Sequence, residues 1–494
     1  MKEINDKFLQ KKQYLSTKVV SFLPLLLLVP TQYKRATWWP FPNSGPTTFM
    51  FIAAFILLFL FIYESIQESK VVKLSLVQKL FFLWLLHTFV SIGLILLGVR
   101  PSLEFIGTRI YTGVPPYFVA FMVFIIIEKN NWKLRDFENV VKVLLFVSAV
   151  WSIECILAWY LGFILPGLSS AGTKGEEWFS SGFTNSLHTV SKASLIMFWL
   201  SIYMFYRHEK SRYLLFSFGA FLTIIANLNR ATNALLIASL ILFVYFMFVR
   251  YSRKKSNQSQ IKGTLKVLFG LSAAIVIIGG SVFVNANVRG SLLTDSHGFV
   301  ERAYQYSRAV ELIIQNPQGV GAGIGYNYAY SEEVPQLFTE DLINTEPFST
   351  FSKFYQTGIL GSNLQQKKVG ESGGVYSIHN FSLNIIMDYG VFGLIIIILY
   401  IYWLFRFLKF TGLLFKSGYK SIGALFLSLT IAQGAVFVAM QATYKFFPWM
   451  WLLVFLFLFS KAIINGLIRE QRKQMQLNNG IISPLSEVYL LSKI

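Results

Sequence analysis

Apolar residues in this chain come in long, nearly continuous runs separated by short polar connections, a pattern set by a bilayer rather than by one face of a sheet or helix. Twelve such runs stand at residues 18–33, 48–63, 80–99, 113–128, 141–165, 184–206, 213–229, 232–249, 267–285, 383–405, 421–441 and 446–466. A helix rising about 1.5 Å per residue needs about 20 residues to cross about 30 Å of hydrocarbon, so each run reads as a spanning helix. Pro24 and Pro30 interrupt the first run and make it the least regular. The expected fold is an all-α polytopic membrane protein of about twelve transmembrane helices. Four regions follow: an N-terminal bundle of about nine helices over 1–285, a loop domain over 286–380, about three C-terminal helices over 381–468, and a polar tail over 469–494. The loop between the ninth and tenth spans is the one long connection, and it is partly helical. Val300 to Ile314 places apolar residues at helical spacing and stops at Asn316-Pro317, with the glycine-rich stretch Gly319 to Gly325 just beyond. Residues 331–375 are polar and read as irregular.

Composition agrees with lipid as the solvent. Hydrophobic residues are 54% of the chain and charged ones 14%, too few charges to cover a soluble protein of 494 residues. The net charge of +20 raises the question of a nucleic-acid partner, which topology answers. With the N-terminus in the cytoplasm, cytoplasmic segments hold 30 of the 44 basic and 10 of the 24 acidic residues, leaving 14 of each elsewhere. The whole excess is therefore a positive-inside bias, no nucleic acid is required, and the even span count returns the C-terminus to the cytoplasm. The long loop falls on the outer face. Cys155, the one cysteine, excludes an intramolecular disulfide and a cysteine-based zinc site.

Cations on the outer side break this bias and are the informative ones. Arg230 lies there at the start of the eighth span, where the helix dipole disfavours a positive charge; it is either an arginine snorkelling to the interface or part of an anion site. Arg100 and Arg109 flank a short outer segment with Pro101, Gly107 and Gly113 that reads as re-entrant, and they serve as interfacial anchors or as further anion ligands. Arg302 opens the loop helix. Glu154 and Lys192, within spans five and six at similar depth, are expected to form a buried ion pair that holds the bundle, and Asp388 in span ten is placed to orient an arginine. His379 precedes span ten, and Gly390 lies eleven residues on, about three turns, which puts both on one face of a straight helix; Gly393 leaves room for a neighbouring helix. His188 has no second histidine at metal-ligand spacing, so no metal is expected. The stretch Gly319 to Gly325 does not fit a dinucleotide fingerprint and reads as a turn or a substrate-approach loop.

Three patterns stand in order across the outer loop. Asn227-Leu-Asn-Arg230-Ala-Thr-Asn233 opens a span; Glu301-Arg302 is followed fifteen residues later by Pro317 and then Gly319 to Gly325; His379-Asn380 precedes Gly390 with ten residues between His379 and the glycine. Together they resemble the O-antigen ligase and polysaccharide-polymerase superfamily of bacterial membrane glycosyltransferases over residues 180–410. The first is similar to that family's Ser-Arg-Gly motif with the arginine kept and its neighbours changed. The second is similar to its Arg, helix, Asn-x-Pro and Gly-x-Gly series. The third is similar to the ligases' His-x10-Gly, with Asp388 where an acid often stands.

The resemblance implies transfer of a glycan from a polyprenyl diphosphate carrier to an acceptor hydroxyl on the outer face of the cytoplasmic membrane of a bacterium, with no cofactor and no obligatory metal. Arg230 and Arg302 are then expected to hold the diphosphate and His379 to act as general base, with Arg100, Arg109, Asp388, Asn380 and Gly390 in support. The implied partners are lipid-linked oligosaccharide as donor and acceptor, membrane lipids, a flippase and a chain-length regulator. Polymerisation of repeat units for capsule or O-antigen is the leading expectation. Lys-, Ile-, Phe- and Asn-rich usage fits a low-GC organism, where a lipopolysaccharide core acceptor need not exist. Ligase-type transfer to a different acceptor is the alternative. A lipid-linked oligosaccharide flippase is the rival from another class; it predicts charges lining a path through the bundle, and the spans show no duplicated half.

Overall fold

The structure, a computed structural model, describes residues 14–28, 46–68, 74, 76–97, 106–161, 187–226, 230–244, 310, 313–319, 381–416, 419–434 and 449–477. Among them there is no strand. The helices are α1 (Leu15–Phe22), continued by a 3-10 segment Leu23–Leu28, α2 (Pro46–Glu68), α3 (Leu76–Leu96), α4 (Ile106–Lys129), α5 (Leu134–Leu161), α6 (Leu187–His208), α7 (Arg212–Ala226), α8 (Arg230–Val244), α9 (Phe381–Lys416), α10 (Lys420–Gly434) and α11 (Trp449–Leu477). Eleven of the twelve apolar runs fall on these elements, and the run at 267–285 lies outside the described residues. The loop domain is described only at residue 310 and over 313–319.

The outward face of α2 is what a lipid solvent predicts. Thr48–Glu68, 21 residues or about 31 Å at 1.5 Å per residue, is long and apolar enough to cross a bilayer. It exposes Phe51, Phe55, Phe59, Ile62 and Ile66, while Met50, Ala53, Ala54, Leu57 and Leu60 are buried. In water such a stripe of exposed aromatic and branched side chains would drive aggregation; in hydrocarbon it costs nothing.

The chain divides into two compact units. One comprises 1–83, 115–227 and 446–494, the other 84–114 and 228–445. In the first unit, α6 and α7 are joined by a tight turn in which Glu209 takes a positive φ of 54°, and α7 packs on both α6 and α5. Close approach of α5 and α7 depends on small residues: a Cβ on Gly219 would stand 2.8 Å from Ser152 Oγ, and Thr223 Oγ1 donates to the same oxygen at 3.2 Å. The C-terminal helix α11 is seated by aromatic packing, with Phe137 stacked on Phe459 at 5.3 Å and Tyr203 edge-on to Phe459 at 5.6 Å. Glu154 on α5 and Lys192 on α6 are both buried.

A polar knot ties α1 to this unit. Glu64 accepts from Ser16 N at 2.9 Å and from Ser16 Oγ at 2.6 Å, which satisfies a backbone donor that the first turn of α1 cannot pair internally. Asn130 Nδ2 reaches Ser16 Oγ and Thr17 Oγ1, and Trp132 Nε1 donates to Thr17 Oγ1. Near the start of α5, Glu138 accepts from Tyr203 Oη at 3.3 Å and stands 3.6 Å from Arg207 Nε. His208 Nε2 is 3.4 Å from the second carboxylate oxygen but out of hydrogen-bond alignment, so that contact is purely electrostatic and requires a protonated ring.

Two expectations change. Residues 106–113 form the first turns of α4 and are not re-entrant, so Arg109 lies in helical backbone; Gly107 and Gly113 are tolerated because the apolar run behind them sustains the helix. The tenth span is not a straight helix either. α9 leaves helical geometry at Gly390 (φ 59°, ψ −137°) and continues to Lys416.

Candidate functional site

The second unit carries Arg109, Arg230, Asp388 and Gly390. Its framework is α8, α9 and α10: α10 packs on α9 and on α8, Phe407 and Phe410 close around Phe426, and the Phe415 ring covers Gly423, where a Cβ would meet it at 2.8 Å.

The bend in α9 is sharp. A Cβ on Gly393 would collide with the carbonyl of Ile385, eight residues earlier, although eight residues of straight helix span about 12 Å. Gly393 thus accommodates its own helix folding back, not a neighbour. The bend frees the N–H of Val391 from the helical ladder, and Pro317 O accepts it at 2.9 Å. Pro317 belongs to the turn Asn316-Pro317-Gln318-Gly319, closed by Gly319 N donating to Asn316 O at 2.8 Å. This turn stands where the Asn-Pro pair predicts a helix stop, directly after the helical residues 313–315.

Gly319 and Gly390 interlock. Both hold positive φ, 77° and 59°. A Cβ on Gly319 would lie 2.5 Å from Gly390 N and from Asp388 O; one on Gly390 would lie 2.5 Å from Gly319 N and would collide with Pro317 O. Each glycine therefore occupies the space that the other's side chain would need. The second and third sequence patterns, about 70 residues apart, meet here through backbone.

Helix α3 completes the junction. His87 Nε2, when it carries the proton, donates to Gln318 O at 3.3 Å, and the His87 ring lies 5.1 Å from that of Tyr389. Thr88 Oγ1 donates to Trp84 O at 3.1 Å, which leaves Tyr389 Oη as the donor in the 3.1 Å bond between the two hydroxyls. Trp84 meets Tyr389 edge-on at 5.2 Å. The sequence reading passed over His87 and Tyr389; the available signal was a histidine inside an apolar run, which is rare in membrane helices and usually has a purpose.

Asp388 and Asn384, one turn apart on α9 before the bend, are each 1% exposed. Gly390 is the bend itself, so the straight-helix alignment expected between it and His379 does not extend through it. Arg230 is the first residue of α8, as expected, and Thr232 and Asn233 behind it are buried. Arg109 is in the first turn of α4. Arg100, Arg302, His379, Asn380 and the remainder of Gly319 to Gly325 lie outside the described residues.

Residues 215–398 match the family described as O-Antigen ligase. This match supports the O-antigen ligase and polymerase superfamily over that stretch. The matched stretch contains Arg230, Arg302, the Asn316 to Gly319 turn, His379, Asp388 and Gly390, so all three sequence patterns and their interlock fall within it. Members of the family are integral membrane enzymes that act on lipid-linked glycans in polysaccharide biosynthesis. Neither the curated proteins nor the solved structures provide a match.

Proposed function

We propose that this protein is a glycosyltransferase that polymerises polyprenyl-diphosphate-linked oligosaccharide repeat units at the outer face of the cytoplasmic membrane, for capsule or O-antigen assembly. The observation that carries the reading is the family match, which contains every chemistry-bearing pattern in its expected order. The glycine interlock supports it, because it fastens the turn that follows the Arg302 segment to the helix that begins two residues after His379.

The chemistry is a displacement at the sugar's anomeric carbon. The bond from that carbon to the diphosphate oxygen breaks, the bond to the acceptor hydroxyl oxygen forms, and the polyprenyl diphosphate leaves with the negative charge. Guanidinium groups suit that charge through paired, charge-assisted hydrogen bonds, the role given to Arg230 and Arg302. Preorganised donors at a leaving oxyanion contribute ~3 kcal/mol each in known enzymes. The acceptor hydroxyl gives up its proton to a base, the role given to His379, whose type titrates near ~6.5 when unperturbed. Asp388, buried in the first arm of α9, is assigned to orienting a cation, and Arg100 and Arg109 to support at the interface. The multi-pass topology with both termini cytoplasmic, and a flippase and a chain-length regulator as working partners, belong to the same proposal.

Ligase-type transfer of the glycan to a different acceptor is the second reading, and the family description itself favours it. Purified protein in detergent, supplied with lipid-linked repeats, distinguishes the cases, because transport has no meaning without a membrane. Lengthened lipid-linked glycan is expected, with Arg302→Ala and His379→Ala reaching normal levels in the membrane but leaving single repeats. Transfer only to an added acceptor other than the lipid-linked repeat would establish the ligase reading. Long chains made at normal levels by either variant would remove its assigned role.

A further inference from the structure

Helix α8 carries a buried amide that no described residue satisfies. Asn233 is 5% exposed, and among the described residues neither its Oδ1 nor its Nδ2 has a hydrogen-bond partner. A carboxamide offers two donors and an acceptor, and leaving all of them unmet in an interior is unfavourable enough that such groups are rare and need a cause. In lipid, where no bulk water can compensate, the cost is higher still. A ligand is the natural cause where the group stands next to a binding feature, and Asn233 does. It is the fourth residue of a 15-residue helix that opens at Arg230. Positions three apart share a helix face, so 233 lies one turn behind 230 on the same side. The backbone N–H groups of that first turn have no partners within the helix and favour an anion.

The amide's two halves narrow the ligand. A phosphate oxygen accepts only; it would satisfy Nδ2 but set Oδ1 against negative charge. A hydroxyl, a vicinal pair of hydroxyls or an acetamido group presents a donor and an acceptor side by side and meets both halves. On a lipid-linked glycan the nearest such group to the diphosphate belongs to the sugar that carries it. We propose that Asn233 binds the sugar attached directly to the donor diphosphate, through its hydroxyl or acetamido group, and thereby selects which first sugar the enzyme accepts. This assignment rests on the polymerase reading and adds a specificity residue to the clamp begun by Arg230.

The test compares two probes on purified full-length protein: the cell's own lipid-linked repeat and undecaprenyl diphosphate without sugar. Asn233→Ala and Asn233→Leu are expected to weaken binding of the sugar-bearing lipid at least about tenfold, the scale of one lost hydrogen-bonded contact, while binding of the sugar-free lipid changes less than about twofold. Ligand-free Asn233→Leu should melt at or above the wild-type temperature, because an apolar side chain replaces an unsatisfied polar one of similar size. Equal weakening for both lipids, or no weakening for either, overturns the proposal; the second outcome would leave Asn233 to a bound water. Wild-type protein that neither binds nor extends the lipid-linked repeat defeats the polymerase reading and this assignment with it. Wild-type extension together with unchanged binding by both variants defeats this assignment alone.

Discussion

Gly390 holds a backbone conformation that side-chain-bearing residues reach only with strain, and the volume a Cβ would fill is taken by the Pro317 carbonyl. Alanine there adds strain of about 1–3 kcal/mol before the collision is counted, and the collision breaks the hydrogen bond between Val391 N and Pro317 O. Gly390→Ala should therefore lower glycan elongation at least about tenfold, by a loss of that size converted to rate. Gly93→Ala on α3, which has nothing within 4 Å of the new Cβ, should leave it unchanged. Radiolabelled product resolved by length measures both, and an active Gly390→Ala protein would show that the interlock does not position the site. Sequence marked Gly319 and Gly390 but gave each a local meaning, a turn and a helix face. Their shared meaning is a contact between segments about 70 residues apart, and no periodicity encodes it. The role of His87 was hidden for a related reason: its partner is the backbone of a turn more than 200 residues later.

Among the described helices, each coincides with an apolar run, with ends that differ by up to eleven residues, because lipid makes length and continuity the deciding signal. It failed at α9, where a glycine within an apolar pattern is compatible with a continuous helix and only the positive φ reveals the bend. It also could not foresee how α1 is held. Pro24 weakens the helical signal of the first run, and the element survives as one short helix and a 3-10 segment because Glu64 supplies the acceptor that its first turn lacks. Glu64→Leu leaves Ser16 N and Ser16 Oγ without their acceptor, a loss of about 1–3 kcal/mol for a buried unsatisfied donor. The detergent-solubilised variant should unfold at a lower temperature, and Glu64→Gln, which keeps an acceptor oxygen, should fall between the two. A melting temperature equal to wild type for Glu64→Leu would show that α1 is held by its apolar contacts alone.

For the whole molecule, charge and hydrophobicity are a single signal only if the topology is right. All of the +20 then belongs to cytoplasmic segments, and the outer side is neutral, so the few arginines assigned to the diphosphate stand out against a balanced background. The chain offers a direct check. Cys155 is its one cysteine and is buried within α5, where a thiol acts as a small apolar group, so Cys155→Ala should support wild-type elongation and provide a cysteine-free background. In that background, Ser259→Cys lies in the basic connection that runs from Arg250 to Lys266, and Ser362→Cys lies in the long polar loop. A membrane-impermeant maleimide added to intact cells should label position 362 and not 259, and permeabilised cells should label both. Labelling of 259 in intact cells would turn the basic segment outward. The positive-inside assignment would then fail, and the outer arginines would lose the one property that distinguishes them from ordinary interfacial anchors.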